Sequence, residues 1–243
     1  MKDILQDVVA HTHALGFLPL VKVTSDSTST MIESMAEDRS VILSATTHTP
    51  VAEVNGTFGM PNLDKLALHL KNPEYKTDAK LQIVEADRNG ETIPTHIHFE
   101  NAAGDFENDY RFMNKAIIEE KLKTVNFKGA SWNVTLNPSV VSIERMKLMS
   151  AAHSEEPTFN VKTNNDNLVF SFGDASTHAG EFVFAHAVGG SLQHTWSWPV
   201  AQVQSILNLD GDATMSISDQ GAMQIGLNSG MINYNYILPA QSK

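Results

Sequence analysis

The sequence predicts an α+β chain of two similar halves, each built from two β-α-β-β-β units. Three observations carry this. Four segments, starting near residues 2, 61, 138 and 199, place apolar residues at helical spacing. After each of them the period drops to two over three successive stretches bounded by turn residues. The outer intervals between helix starts, 59 and 61 residues, nearly agree, while the middle one is 77.

The first helix is expected over Lys2–Gly16, where Ile4, Leu5, Val8, Val9, Thr12 and Leu15 form one stripe and Gly16 is the stop. Strands are expected at Leu18–Thr24, Thr30–Met35 and Ser40–Thr47, with no clear strand leading into this unit. Val51–Gly59 leads into a second helix, Pro61–Lys71, whose stripe is Leu63, Leu66, Ala67 and Leu70. Lys80–Asp87, Thr92–Glu100 and Asp109–Ile118 follow as strands, the first two separated by the turn signal Asp87-Arg88-Asn89-Gly90. Ser131–Leu136 leads into a third helix over Pro138–His153, with Asn137 as its expected N-cap. Thr158–Thr163, Leu168–Gly173 and Gly180–Val188 come next. Ser191–Trp198 leads into Pro199–Leu209, where Val200, Val203, Ile206 and Leu207 point one way. Ala213–Ser218, Ala222–Leu227 and Met231–Leu238 complete the chain. The excess in the middle interval falls between Asn101 and Ala130. The expected domains are therefore 1–118 and 131–243, joined by a connector at 119–130.

Composition narrows the function. Of 243 residues, 42% are hydrophobic and 19% charged, which suits a packed core. The formal charge of −11 opposes a protein whose whole surface grips a polyanion. The absence of Cys removes disulfides, Cys-ligated zinc, iron–sulfur clusters and a thiol nucleophile. Asp3, Gln6 and Asp7 break any apolar leader in Met1–Gly16, and no run is long enough to span a membrane. The expectation is a soluble, intracellular, cytoplasmic protein. There is no phosphate-cradling Gly-x-x-x-x-Gly-Lys-Ser/Thr loop and no Gly-x-Ser-x-Gly elbow. His96 and His98 share a strand face and could hold a metal, but spacing identifies no third ligand. His11 and His13 do not point together on a helix, and Asp210-Gly211-Asp212 has the composition of a turn. The expectation is a protein without catalytic site, metal or cofactor.

The order of elements, together with two short stretches, resembles the ring-shaped DNA sliding clamps. Met231-Ile232-Asn233-Tyr234-Asn235-Tyr236-Ile237-Leu238-Pro239-Ala240 is similar to that family's last strand and its Tyr-Leu-Ala-Pro-like ending. Ser197-Trp198-Pro199-Val200-Ala201-Gln202-Val203 resembles the step from strand to helix that opens the last repeat, and Gly59-Met60-Pro61-Asn62-Leu63 has the same shape. The length fits the members that close as homotrimers, the PCNA and T-even-phage types. The modest length and the lack of a long basic first helix favour the phage branch, whose members also act in late transcription.

The resemblance implies a ring that encircles duplex DNA, tethers a polymerase to make synthesis processive, and is opened by an ATP-dependent loader. Helices would line the hole, placing Lys2, Lys65, Lys71, Arg145 and Lys147 toward DNA. The four helices sum to +1, leaving −12 for the rest of the chain, so a near-neutral lining sits inside an acidic shell. The fourth helix has no charge and the first is net negative, which departs from a basic channel. Subunit edges would fall at Asp109–Ile118, with Asp109, Arg111 and Met113, and at Gly180–Val188, with Phe182, Val183, Phe184 and His186. Client peptides would dock on Val41, Leu122, Val125, Phe127, Tyr236, Leu238 and Pro239. Two other readings remain at this point: a β-rich phage structural or assembly protein, and a metal-dependent hydrolase using His96 and His98.

Overall fold

The computed structural model describes all residues except 89, 124–126, 128, 175, 177 and 242–243. In chain order these form α1 (Lys2–His11), β1 (Val21–Ser25), β2 (Thr30–Met35), β3 (Ile42–Thr47), β4 (Gly56–Met60) and α2 (Leu63–Lys71). Next come β5 (Lys80–Arg88), β6 (Glu91–Glu100), β7 (Glu107–Arg111) and α3 (Lys115–Lys121). The second half holds β8 (Val134–Leu136), α4 (Val140–Ala152), β9 (Thr158–Asn164), β10 (Asn167–Phe172) and β11 (Gly180–Ala185). It ends with β12 (Trp196–Pro199), α5 (Val200–Leu207), β13 (Asp212–Ser218), β14 (Ala222–Asn228) and β15 (Ile232–Pro239). Two compact units divide the chain: Met1–Val125 with Ser229–Tyr234, and Asn126–Asn228 with Asn235–Lys243.

Inside each unit the repeats exchange strands. In the first unit, β4 leads the second repeat but pairs with β1 of the first, Val21 opposite Met60, giving the order β4-β1-β2-β3. In the second unit, β12 leads the fourth repeat but pairs with β9 of the third, Trp198 opposite Phe159. Conversely β8 leads the third repeat and pairs with β13 of the fourth, Met215 opposite Leu136. The orders are β11-β10-β9-β12 and β15-β14-β13-β8. The remaining sheet, β5-β6-β7, has three strands, because the first repeat supplies no leading strand to pair with β5.

Period-two burial builds these sheets. Val21, Val23 and Ser25 of β1, Thr30, Ile32 and Ser34 of β2, and Leu43, Ala45 and Thr47 of β3 all turn inward. Helix α2 buries the predicted stripe Leu63, Leu66, Ala67 and Leu70. Below it Tyr75 and Phe99 lie 5.3 Å apart, ring to ring. The second unit is centred on Phe159, Phe170 and Phe184, with Phe170 and Phe184 stacked at 4.2 Å. The buried Trp198 Nε1 donates to the Leu238 carbonyl at 3.2 Å, so its one polar atom is satisfied.

The first unit is completed by residues from the far end of the chain. Asp7 on α1 accepts hydrogen bonds from Ser229 Oγ at 2.8 Å and Tyr234 OH at 2.9 Å. His11 Nδ1 lies 3.2 Å from the same carboxylate, and its ring stacks on Tyr234 at 4.4 Å. Burial opposes ionisation of Asp7, but the hydrogen bonds from His11, Ser229 and Tyr234 and the nearby imidazole outweigh it. The carboxyl is held below the usual Asp range.

Several elements differ from the sequence expectation. The strand expected over Asp109–Ile118 stops at Arg111, and Lys115–Lys121 is helical. Asn114 Oδ1 accepts from the Ile117 amide at 3.0 Å and caps this helix, and Ile118 and Leu122 bury at an i,i+4 spacing. Between them Met113 bridges to Gly59, spending both backbone groups at 2.8 Å. The third helix is capped by Ser139 rather than Asn137; the Ser142 amide donates to Ser139 Oγ at 3.1 Å. Pro61 stands outside α2, because Asn62 takes a left-handed conformation at φ 51° and turns the chain first. Strand β11 ends at Ala185, ahead of Ala187 at φ 51°, which leaves His186 beyond the strand.

Gly59 makes the docking of α3 possible, since a Cβ there would lie 2.8 Å from Ile118 Cδ1 and 3.0 Å from its Cβ. Gly59→Ala is expected to cost about 1–3 kcal/mol by overpacking. Ile118→Ala is expected to cost about 2–5 kcal/mol by leaving a cavity. The double variant should lose clearly less than the sum in urea unfolding. Additivity within about 0.5 kcal/mol would mean that the two positions do not share this contact.

Candidate functional site

Two features of the chain offer a function: the outer faces of the helices and the unpaired edges of two sheets. On α2 the buried stripe leaves Asp64, Lys65, Leu68 and Lys71 outward. On α4, Ser142 and Met146 turn inward, leaving Val140, Val141, Glu144, Arg145 and Leu148 exposed. Lys65, Lys71 and Arg145 form no ion pair among the described residues. The other two predicted cations are engaged. Lys147 Nζ lies 2.7 Å from Glu144, and Lys2 donates to the Tyr75 carbonyl. A groove of about 460 Å³ between α1 and α2 has Val9, Ala67 and Leu70 along it and Gln6, His13 and Lys71 among its polar residues. Helix α5 carries no charge.

The two predicted edges are edge strands: β7 ends β5-β6-β7, whose other edge is β5, and β11 ends β11-β10-β9-β12, whose other edge is β12. Register places Asp109 opposite His98 and Arg111 opposite His96, so the four share one face. Asp109 Oδ1 lies 2.9 Å from His98 Nδ1 and 3.5 Å from His96 Nε2, and its Oδ2 accepts from Arg111 Nη2 at 3.2 Å. The His98 hydrogen bond is the main reason the Asp109 carboxyl sits below its usual range; partial burial opposes it, and His96 and Arg111 add to it. His96 is pushed down chiefly by burial and also by Arg111 and His98, while Asp109 pulls it up. Among the described residues, no three or more of His, Cys, Asp and Glu are arranged to hold a metal ion.

Along β11 a register shift opposite Leu168 and Val169 sets Phe184 apart, and its ring is buried in the core. Phe182 and Val183 are half-buried, and exposed His186 has its Nδ1 3.0 Å from Asn167 Oδ1. Met113 leaves the predicted edge, because its amide and carbonyl are already bonded to Gly59.

The apolar candidates separate by burial. Val41, Tyr236 and Leu238 are 0% exposed and are core side chains in the free chain. Phe127 stacks on Trp132 at 6.1 Å, Pro239 is exposed, and Val125 lies outside the described residues. Leu122, 9% exposed, borders a small pocket with Met35, Ile42 and Leu43, and the Lys22–Glu33 ion pair at 2.8 Å stands on its rim. Sequence reasoning missed Met35, Ile42 and Leu43, whose alternation reads only as strand. It also missed the exposed apolar residues of α2 and α4, because those faces were searched for charge.

Comparison with solved structures settles the architecture. The PCNA of A. fulgidus, solved with the C-terminal region of FEN-1, superposes with a TM-score of 0.69 at 11% identity, over 100% of this chain and 95% of that one. The chain has the DNA sliding-clamp fold. PCNA from Thermococcus kodakaraensis matches this chain at TM-score 0.68 and 10% identity, over 99% of this chain and 97% of that one. Proliferating cellular nuclear antigen from Entamoeba histolytica matches at 0.67 and 11%, over 99% and 94%. No family model and no curated protein matches the sequence. Among the described residues, no helix of this clamp fold is long and apolar enough to cross a membrane.

The Asp109 cluster gives a direct test. With Asp109→Asn, His96 loses the one charge that raises its pKa and keeps burial, Arg111 and His98, all of which lower it. Its pKa should fall further in a proton NMR titration. A rise or no change would break the assigned contact.

Proposed function

We propose that this chain is a DNA sliding clamp that closes as a homotrimeric ring around duplex DNA and tethers a DNA polymerase. It would act by topology and not by catalysis, and a separate ATP-dependent loader would open it. The observation that carries this reading is the four-repeat topology with its exchanged leading strands, matched to PCNA over nearly the full length of both chains. An open sheet edge in each unit, β7 in the first and β11 in the second, would supply what a head-to-tail ring needs for closure. A ring that slides must tolerate every sequence, so base readout has no place in it. The few unpaired cations on otherwise near-neutral helices suit a lining that surrounds DNA without gripping it. The A. fulgidus protein binds the C-terminal region of FEN-1, and client proteins are proposed to dock here through short peptides as well.

Lys65, Lys71 and Arg145 are the cations free to meet phosphates, with Lys147 held back by Glu144. Changing Lys65, Lys71 and Arg145 to Ala should alter stability by no more than about 0.5 kcal/mol each. It should shorten retention on primed, loader-charged DNA and reduce the salt slope of retention by up to about 0.9 per lost contact. Unchanged processivity and salt slope would remove these residues from the lining.

For clients, the reading uses the Leu122 groove with Met35, Ile42 and Leu43. Short peptides gain affinity from a few buried anchors. Leu122→Ala should weaken binding of the cognate polymerase's C-terminal peptide by about tenfold or more, or 1.4 kcal/mol, in titration calorimetry. Equal affinity for both proteins would exclude this groove.

A further inference from the structure

Strand β5 opens the meander of the second repeat, as β13 opens that of the fourth. On β13 the leading strand β8 adds antiparallel, with Leu136 opposite Met215 and Val134 opposite Ile217. Met215, Ile217 and Val134 are all 0% exposed. Among the described residues no strand pairs with β5 on the side away from β6, and at nine residues it is a longer margin than β7 or β11. Its inward side chains Leu81 and Ile83 stay half-buried, although their cross-strand partners Phe99 and Ile97 are 0% exposed. The second unit thus shows the closed form of a margin that the first unit leaves open.

The free backbone groups follow from the ladder. The Phe112 amide donates to the Thr95 carbonyl at 2.9 Å, so the Thr95 carbonyl faces the β7 side. Backbone direction alternates along a strand, so Ile97 and Phe99 also face β7, while His96, His98 and Glu100 face Val84, Gln82 and Lys80. The amides and carbonyls of Leu81 and Ile83 are therefore directed at the open margin. Beyond Val84 a bulge breaks the register and blunts the rest of the edge. Beside the usable stretch, a cavity of about 40 Å³ lies between Ile83, Ile97 and the start of α1, with Met1, Ile4, Val54 and Phe112 half-buried along it. Four exposed carboxylates flank these residues in the chain: Asp3 beside Ile4, Glu53 beside Val54, and Glu85 and Asp87 further along β5. None of the four forms an ion pair among the described residues. The nearby cations are engaged, Lys80 with Glu100 at 2.9 Å and Lys2 with the Tyr75 carbonyl.

We propose that the β5 margin is a docking site for an extended segment of a partner protein, which adds antiparallel to Lys80–Val84. An aliphatic side chain of that segment rests against Ile83 and the cavity beside it, as Val134 rests against Ile217 in the second unit. Lys or Arg at its ends meets Asp3, Glu53, Glu85 and Asp87. Main-chain bonds to Leu81 and Ile83 supply affinity, and the alternate side chains supply selectivity. A second copy of this chain is the poorer occupant, because it brings the same four carboxylates to the margin. The site lies wholly within the first unit and shares no residue with the Leu122 groove, so it goes beyond the clamp reading and does not depend on ring closure.

The probe is a labelled synthetic peptide, Lys-Lys-Val-Thr-Leu-Thr-Val-Lys-Lys, which repeats the alternation of β8 between basic ends. With the full chain it should bind in fluorescence anisotropy and slow hydrogen exchange of the segment 80–84, read by mass spectrometry. The same peptide with alternate amides N-methylated keeps its charge but cannot complete a ladder, and should bind weaker by about tenfold or more. Leu81→Pro removes a donor that faces the margin and none that faces β6, a change that edge strands tolerate, and should weaken the parent probe by a similar factor. Glu85→Lys with Asp87→Lys, both at exposed positions, should also weaken it. No binding at millimolar probe, equal affinity for the N-methylated peptide, or protection at the Leu122 groove in place of 80–84 would overturn the site. Protection of 80–84 without probe, lost only on dilution to single chains, would assign the margin to a second copy and overturn the partner. A wild type that forms no ring would count against the ring reading alone, since the probe site lies in one unit.

Discussion

A β-strand at a sheet margin leaves a row of amide and carbonyl groups without partners, and most of this architecture follows from where that row is closed. Each three-stranded meander has two margins. In three of the four repeats one margin of the meander is closed by the strand that leads the sequentially neighbouring repeat; the exception is β5-β6-β7, which stands with its own three strands. This sharing of strands joins the repeats in pairs, in keeping with the two compact units of two repeats each. It also fixes which margins remain open. Beside β5, β7 and β11 no strand arrives in the sheet orders, so those margins of the meanders stay open.

The electrostatics are arranged around the same plan. The helices spend part of their charge internally. Lys147 is neutralised by Glu144, and Lys2 is turned onto a backbone carbonyl. On the face of β5-β6-β7 the order is reversed, with carboxylates, imidazoles and a guanidinium sharing protons and charge along two strands. Such exposed pairs add little to stability but set the local sign of that surface.

How much of this was legible in the sequence depended on how far each residue's role was local. The stripe Leu63, Leu66, Ala67, Leu70 fixed a helix, because periodicity is itself the signal of burial. The repeat order was legible for the same reason, being four helical periods separated by alternation. The stretch after Asp109 misled because Ile117 and Ile118 fit a strand, while the capping role of Asn114 shows only once Ile118 has a surface to rest on at Gly59. Val41, Tyr236 and Leu238 misled differently: an apolar residue in a strand reads alike whether it lines a groove or fills a core. Helix α4 hid its exposed face because Val140, Val141, Ile143, Met146, Leu148 and Met149 spread apolar residues round the helix, so that Glu144, Arg145 and Lys147 mark no clean polar side.

The contribution of Ser229–Tyr234 to the first unit has a bearing on how the protein is made. A ribosome releases Asp7 and α1 early, and more than 200 residues must follow before Ser229 and Tyr234 emerge to occupy that carboxylate. Domains commonly fold in order as they leave the ribosome. Here the N-terminal unit waits for Ser229 and Tyr234, so its last step of folding comes only after the intervening strands and helices of the second unit have been made, and a chain whose synthesis stopped before Ser229 would leave α1 without those partners.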